Sequence, residues 1–293
     1  MSTTEFQIDT LAIVGVGLIG GSIAAAVRQR RLARRIIGFG RNHERLEQAR
    51  VCGLIDEVAT QPEALAAARL IVVCTPVDRL GKDIGMLLNV TSPSTLITDV
   101  GSVKSPVVQQ ASEMSGQIDR FVPAHPIAGS HLQGFEHAHA ELCRDRLCIL
   151  TPLFRNRPED VEFVRSFWKG IGMRVSDLSV EEHDRALALT SHLPHLAASA
   201  VAFLVDEHLL DYAATGYRDT TRVAAGDPEL WTAIFSENSG PLADATSQLI
   251  HTLQEFLTAL SSGDRSRIQA FLELGQQRRR GFHDCEQGAG EST

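Results

Sequence analysis

The chain has 293 residues, too many for one ordinary hydrophobic core, and its 43% apolar content is that of a globular protein. A net charge of −8 argues against a nucleic-acid partner, which needs a concentrated basic face, and the two dense basic runs, 28–35 and 278–280, read as solvated helix ends. Five cysteines without a CxxC pair imply neither a zinc site nor a disulfide framework.

No apolar run reaches the roughly 18 residues a bilayer span needs, and the N-terminus shows no basic stretch leading into an apolar one. A cytoplasmic setting, with no membrane and no metal, is expected. Through the first half, short apolar runs alternate with longer amphipathic stretches, the pattern of βαβ units on a parallel sheet. Strands are expected at 11–16, 35–39, 70–74, 95–99, 120–123 and 147–151, with helices between most of them, for instance 41–51 and 104–115. A helix over 158–170 leads to a further strand at 173–176.

From about Glu181 the β-branched runs disappear and Ala and Leu recur at helical spacing. This predicts helices over 181–205, 228–236, 239–261 and 265–280, with a break at Gly263-Asp264. The fold class is therefore an α/β Rossmann-type N-terminal domain, 1–178, followed by an all-α C-terminal domain, 179–283. The polar, Gly-rich segment 284–293 is expected to be a disordered tail.

Gly15-x-Gly17-x-x-Gly20 follows an apolar strand directly and opens an Ala-rich helix, the context a dinucleotide loop requires. Gly15 permits the tight turn, Gly17 lets backbone approach a pyrophosphate, and Gly20 lets helix and strand pack closely. An NAD-preferring site ends its second strand with Asp or Glu on the ribose 2′-hydroxyl. Here that place is Gly40, followed by Arg41, so repulsion against a 2′-phosphate is absent and an arginine stands ready to pair with it. NADP is favoured over NAD. The bland alternative is that Arg41 only caps the next helix, which leaves either cofactor open.

Three further segments carry chemistry. Ser102 lies in Asp99-Val100-Gly101-Ser102-Val103-Lys104, where a strand ends in a loop; it can donate to substrate or nicotinamide, or simply cap the following helix. His125 precedes Pro126 and is held away from helical geometry. A neutral imidazole there suits removal of an alcohol proton near pH 7. In the helical half, Arg218 and Arg222 lie four apart, suited to clamping a carboxylate or to an ordinary exposed Arg/Asp pair.

Together, GVGLIGGS, VVCTPV, DVGSVK, HPIAGS, SHLPH, RDTTRVA and DPELW, in that order from about Leu11 to Asn238, resemble the prephenate/arogenate (cyclohexadienyl) dehydrogenase family of tyrosine biosynthesis. The resemblance implies a pyrophosphate loop of Gly15, Gly17, Leu18, Ile19 and Gly20, and a turn at Thr75-Pro76 beside the nicotinamide ribose. His125 is then the catalytic histidine that bonds the ring 4-hydroxyl, and Ser102 orients that hydroxyl. Arg222 binds a substrate carboxylate; His195, Asp219 and Trp231 support the pocket, and His192 is a structural neighbour.

The implied reaction is an oxidative decarboxylation, with hydride passing to the nicotinamide, CO2 leaving and the ring becoming aromatic. A small cyclohexadienyl carboxylate is the implied substrate and a homodimer through the helical domain the implied assembly. His131 and Leu132 stand where many relatives carry a glutamate and a basic residue, so prephenate and arogenate both stay open. Two alternatives are weighed: another two-domain reductase of the β-hydroxyacid or pyrroline carboxylate type, and a non-catalytic NADP-sensing protein. No lysine occurs from Glu181 to Gln277, which disfavours a lysine base in the helical half.

Overall fold

A computed structural model describes residues 6–129 and 132–288. The first five residues, Ser130 and His131 of the motif region, and 289–293 of the expected tail lie outside the described residues. Strands β1 (Ile8–Val14), β2 (Ala33–Phe39), β3 (Glu57–Val58), β4 (Leu70–Val73) and β5 (Leu96–Asp99) form a parallel sheet in the order β3-β2-β1-β4-β5. Helices α1 (Leu18–Gln29), α2 (His43–Val51), α3 (Val77–Val90) and α4 (Ser105–Ser115) lie between or after them. The strand order reverses beside β1, and ligands of such sheets bind at the carboxyl ends of the strands flanking that point.

Alternation along β1 feeds two cores. Leu11 and Ile13 pack with Ile23 and Val27 of α1 and with Phe167 and Trp168 of α5 (Pro158–Gly170). Ala12 and Val14 face the other way, toward Leu80 and Ile84 of α3 and Val107 and Ala111 of α4. Each fully buried Leu or Ile side chain stabilises by about 1.5–3 kcal/mol, so the carboxyl edge of the sheet rests on a rigid base.

The run expected as a strand at 120–123 splits its duties. Residues 120–122 lie beside β5, with the Ile97 N–H donating to the Arg120 carbonyl and the Val122 N–H to the Ile97 carbonyl, both at 2.9 Å. The chain then enters β6 (Ala124–Pro126), which pairs antiparallel with β7 (Leu147–Leu150); β7 pairs in parallel with β8 (Arg174–Asp177). The sequence pattern does not foretell this antiparallel pair. Among the described residues no crossover helix separates β6 from β7; two short 3-10 turns, Phe135–His137 and Ala140–Cys143, return the chain against α1 instead. Two-residue β3 is too short to leave a periodic signal.

The predicted helix 181–205 is α6 (Val180–Leu187), a π turn (Ala188–His192) and α7 (Leu193–Phe203). Pro194 supplies no N–H to the preceding turn, which accounts for the local widening. By length and composition the stretch Val180–Phe203 is long and apolar enough to cross a bilayer, although Glu181, Glu182, His183, Asp184 and Arg185 keep it from being one unbroken apolar run. Its His183, Asp184 and His192 are nevertheless buried and hydrogen-bonded within the protein, which makes it a wall of the site described below. Next come α8 (Thr215–Thr221), α9 (Pro228–Glu237), α10 (Ser239–Ser261) and α11 (Arg265–Gly288). With three threonines, α8 has weak intrinsic propensity and leaves no clear helical signal in the sequence.

The expected tail from Asp284 needs correction as far as Gly288, where α11 ends. No Gly or Pro interrupts 282–287, and a helix already nucleated gains one bond per added residue. By its contacts the chain divides into two compact units, Met1–Leu242 and Ala243–Thr293. The first holds both sheets and α1 to α9. Within the second, Phe256 meets Phe271 with ring centroids 4.9 Å apart, across the break at Gly263.

Candidate active site

Gly15 adopts φ +90°, and a Cβ there would stand 2.8 Å from the Cys74 carbonyl oxygen. Its N–H donates to the Phe39 carbonyl at 2.8 Å, tying the loop to the end of β2. A Cβ at Gly20 would collide with the Gly15 carbonyl oxygen, so this glycine allows the close approach of helix and loop. Beside Gly17 there is open space, and α1 starts with neither a side-chain cap nor an acidic residue in its first turn. The N–H groups at Leu18 and Ile19 are thereby left to meet an anion.

Just past β4, the Thr75 hydroxyl is buried without a hydrogen-bond partner among the described residues, next to Pro76 at the start of α3. Uncapped helix, strained turn and orphaned hydroxyl all fit a dinucleotide. Gly40 directly follows β2, its Cβ position 4.0 Å from the Gly15 nitrogen. Arg41 is exposed, and Asn42 is the residue that caps α2, accepting from the Arg45 N–H at 3.0 Å. Arg41 therefore has no capping duty. Arg45 is engaged with Glu136 at 2.7 Å.

His125 is 8% exposed and stands just past the sheet edge. Its backbone is clamped through the residue before it. The Ala124 N–H donates to Asp99 Oδ1 at 2.9 Å, and the Ala124 carbonyl accepts from Lys104 Nζ at 2.8 Å. Lys104 and Asp99 also form an ion pair with both side chains fully buried, and Asp99 Oδ2 accepts from the Gly101 N–H at 2.9 Å. The imidazole is held separately: Nδ1 lies 2.8 Å from His183 Nε2, whose Nδ1 lies 2.9 Å from Asp184 Oδ1. Burial first, then His183 and Lys104, hold the His125 pKa well below the usual histidine range, so the ring is neutral near pH 7.

Ser102 lies in the loop between β5 and α4. The helix begins only at Ser105 and its cap is not Ser102: the N–H groups of Lys104 and Ser105 donate to Asp184 at 2.8 and 2.7 Å. That corrects the N-cap alternative and, among the described residues, leaves the hydroxyl without a structural task. Asn238 extends the cluster, donating to the Asp184 carbonyl at 2.9 Å and lying 3.0 Å from His192 Nδ1. Burial lowers the His192 pKa to about 4.

His195 stacks on Trp231 with ring centroids 3.7 Å apart, and its Nδ1 is buried without a partner among the described residues. The His192 ring meets Trp231 edge-on at 6.3 Å, so one line of contacts runs from His125 to this pair. Gly226 packs against the same pair; a Cβ there would be 2.7 Å from Trp231 Nε1. Arg222 begins the 3-10 turn leading to it and is exposed, and Asp219 is exposed and paired with Arg218 at 3.2 Å. Among the described residues, neither Arg222 nor Asp219 is bonded to the His125 cluster. Sequence reasoning brings out His125 and Ser102 but misses Asp99, Lys104, His183, Asp184 and Asn238 as partners. The one local signal is His183 and Asp184 at one helical turn from Leu187 and Ala188, polar groups on an apolar stripe.

By fold and by site the molecule is an oxidoreductase of the Rossmann type, with a dinucleotide crevice and a neutral histidine beyond its edge. Family models described as the nucleotide-binding domain and the dimerization domain of prephenate dehydrogenase match residues 23–177 and 179–274. The chain belongs to the prephenate dehydrogenase family. It is 32% identical to the cyclohexadienyl dehydrogenase of Zymomonas mobilis subsp. mobilis, over 92% of this chain and 94% of that protein. The crystal structure of prephenate dehydrogenase from A. aeolicus in complex with hydroxyphenyl propionate and NAD+ superposes with a TM-score of 0.87 at 28% identity, covering 94% of this chain and 99% of the other. Synechocystis arogenate dehydrogenase gives 0.82 at 30% identity, covering 93% and 99%.

Proposed function

We propose that this protein oxidatively decarboxylates a cyclohexadienyl carboxylate, prephenate or arogenate, at the crevice between Gly15 and His125. The observation that carries the reading is the buried, neutral His125 at the carboxyl edge of the sheet, with Nδ1 engaged by His183. The nicotinamide dinucleotide supplies the hydride acceptor. Gly15, Gly17, Leu18, Ile19, Gly20, Thr75 and Pro76 would hold it, the uncapped amides of α1 being suited to its pyrophosphate. His125 takes the proton of the ring hydroxyl as C4 gives up its hydride, and Ser102 orients that hydroxyl. Loss of CO2 leaves an aromatic ring, which drives the step forward.

Arg222 binds a substrate carboxylate, with Asp219 beside it and His195 and Trp231 walling the pocket; the unpartnered His195 Nδ1 suits a polar group of the substrate. NADP is the preferred cofactor, supported by the missing carboxylate at Gly40 and by an exposed Arg41 without a capping duty. The functional division falls near residue 178, between β8 and α6. A homodimer through the helical half is supported by Ile250, Leu253, Leu257 and Leu260, all half-exposed or more and spaced as a heptad seam on α10.

The decisive experiment follows absorbance at 340 nm in four reactions, prephenate and L-arogenate each with NADP+ and NAD+. Turnover in any supports the chemistry, and its pattern assigns substrate and cofactor. Folded protein silent in all four overturns the reaction. Arg41→Ala should weaken NADP binding several-fold more than NAD binding; equal effects would remove the 2′-phosphate pairing.

A further inference from the structure

Both oxygens of Asp184 are committed as acceptors. Oδ1 takes the Lys104 N–H and Oδ2 the Ser105 N–H, groups at the start of α4 that can only donate. Burial raises the pKa of this carboxylate, but the hydrogen bonds offered by His183, Ser105 and the Lys104 amide outweigh it and hold the pKa below the usual range, so it is ionised. The proton on the 2.9 Å contact between Oδ1 and His183 Nδ1 must then sit on the nitrogen. Burial outweighs Asp184 and lowers the His183 pKa, so His183 is neutral near pH 7 and its Nε2 is a bare lone pair. That lone pair faces His125 Nδ1 at 2.8 Å, and a hydrogen bond between two nitrogens needs a single proton. It comes from His125.

Since His125 is itself neutral, its lone pair lies on Nε2, which makes no hydrogen bond among the described residues. The order donor-to-acceptor is thus set at the first turn of α4 and transmitted through two side chains to the base. The groups facing His125 are Lys104 and Asp99 from the β5–α4 segment, His183 and Asp184 from α6, and His192 from the π turn. None of the others competes for its Nδ1.

We propose that His183 and Asp184 are positioning residues that lock His125 in the Nδ1–H tautomer and so make Nε2 the one basic nitrogen presented to the substrate hydroxyl. Free neutral histidine favours the opposite tautomer, with the proton on Nε2, which could not accept the hydroxyl proton there. The assignment rests on the proposed role of His125 as base, but its first test needs no substrate.

The test is long-range 1H–15N NMR of the full-length enzyme labelled at histidine, with His125→Asn used to assign the ring. Expected is a neutral His125 with protonated Nδ1 and bare Nε2 near pH 7.5. His183→Leu should shift the ring toward Nε2–H and lower kcat at least about tenfold, with KM and dinucleotide affinity changed less than about threefold. His183→Gln, whose amide oxygen can accept from His125 and whose NH2 can donate to Asp184, should restore most of both signals. A wild-type spectrum with the proton on Nε2 overturns the proposal, as does His183→Leu with unchanged kcat. If His183→Leu does not fold, the wild-type tautomer and His183→Gln decide: a Gln variant as impaired as His125→Asn sinks it. Absence of turnover in all four assays, with the tautomer as expected, would refute the proposed reaction and leave the hydrogen-bond order standing.

Discussion

Two regions of the site are built in opposite ways. Around His125, nearly every polar atom has a buried partner, drawn from β5, the start of α4, β6, α6 and the residue that follows α9. From Thr215 to Ala225, the segment with the proposed carboxylate-binding residues is half-buried at most, and Arg222 and Asp219 are exposed. The proposed proton acceptor is thus organised in advance inside the chain, where low dielectric strengthens each contact. The charged group proposed for substrate is exposed and hydrated, free to exchange water for a carboxylate. Chemistry that depends on one tautomer needs a rigid frame; capture of a carboxylate needs an accessible charge.

Variants can break this contrast. The largest effect is expected from His125→Asn, a turnover loss of at least about 10²-fold with dinucleotide affinity nearly intact, measured by 340 nm kinetics and a binding titration. Unchanged turnover would take His125 out of the mechanism. Lys104→Met should then cost about 3–5 kcal/mol in urea unfolding, because Asp99 would be left buried and uncompensated. A cost under about 1 kcal/mol would mean that the ion pair is not what anchors Ala124.

Arg222→Ala should behave in the reverse manner. Stability should move by less than about 0.5 kcal/mol, as for an exposed side chain. KM should rise tens- to hundredfold, from loss of a charge-assisted contact of about 1.5–3 kcal/mol. A drop in thermal midpoint without a KM change would make the arginine structural.

Acid should sharpen the contrast with a smaller effect. His125, His183, His192 and His195 all have folded pKa values lowered from 6.5, His192 to about 4. As pH falls below 6.5 the unfolded chain takes up protons that the folded state refuses, so their stabilisation, complete above that pH, is lost toward pH 4. The thermal midpoint should fall over this window and His192→Gln should flatten the fall. Protection against hydrogen exchange, corrected for the intrinsic rate at each pH, should fall first in α4 and α6 at pH 5, while that of 215–226, which holds no histidine, stays as it was at pH 7. Uniform exchange along the chain would erase the distinction.

The parts written in contiguous residues are legible in the amino-acid order itself. Gly15-x-Gly17-x-x-Gly20 needs only its own strand, turn and helix, and His125-Pro126 announces a rigid imidazole by itself. The helix ends at 158–170 and 239–261 are also readable, since their apolar periodicity agrees with their boundaries. The tail is not: local composition suggests disorder, but an existing helix simply continues to Gly288.

The sequence alone therefore determined a dinucleotide loop, a candidate base and the change from alternating to all-helical structure, because each is encoded by residues within a few positions of one another. Tertiary structure decided the antiparallel β6–β7 pair, the capping of α4 by Asp184 from 80 residues away, and the choice of the nitrogen on which His125 keeps its proton. Those depend on which hydrogen-bond partners remain when distant segments leave water together, and no local pattern records that.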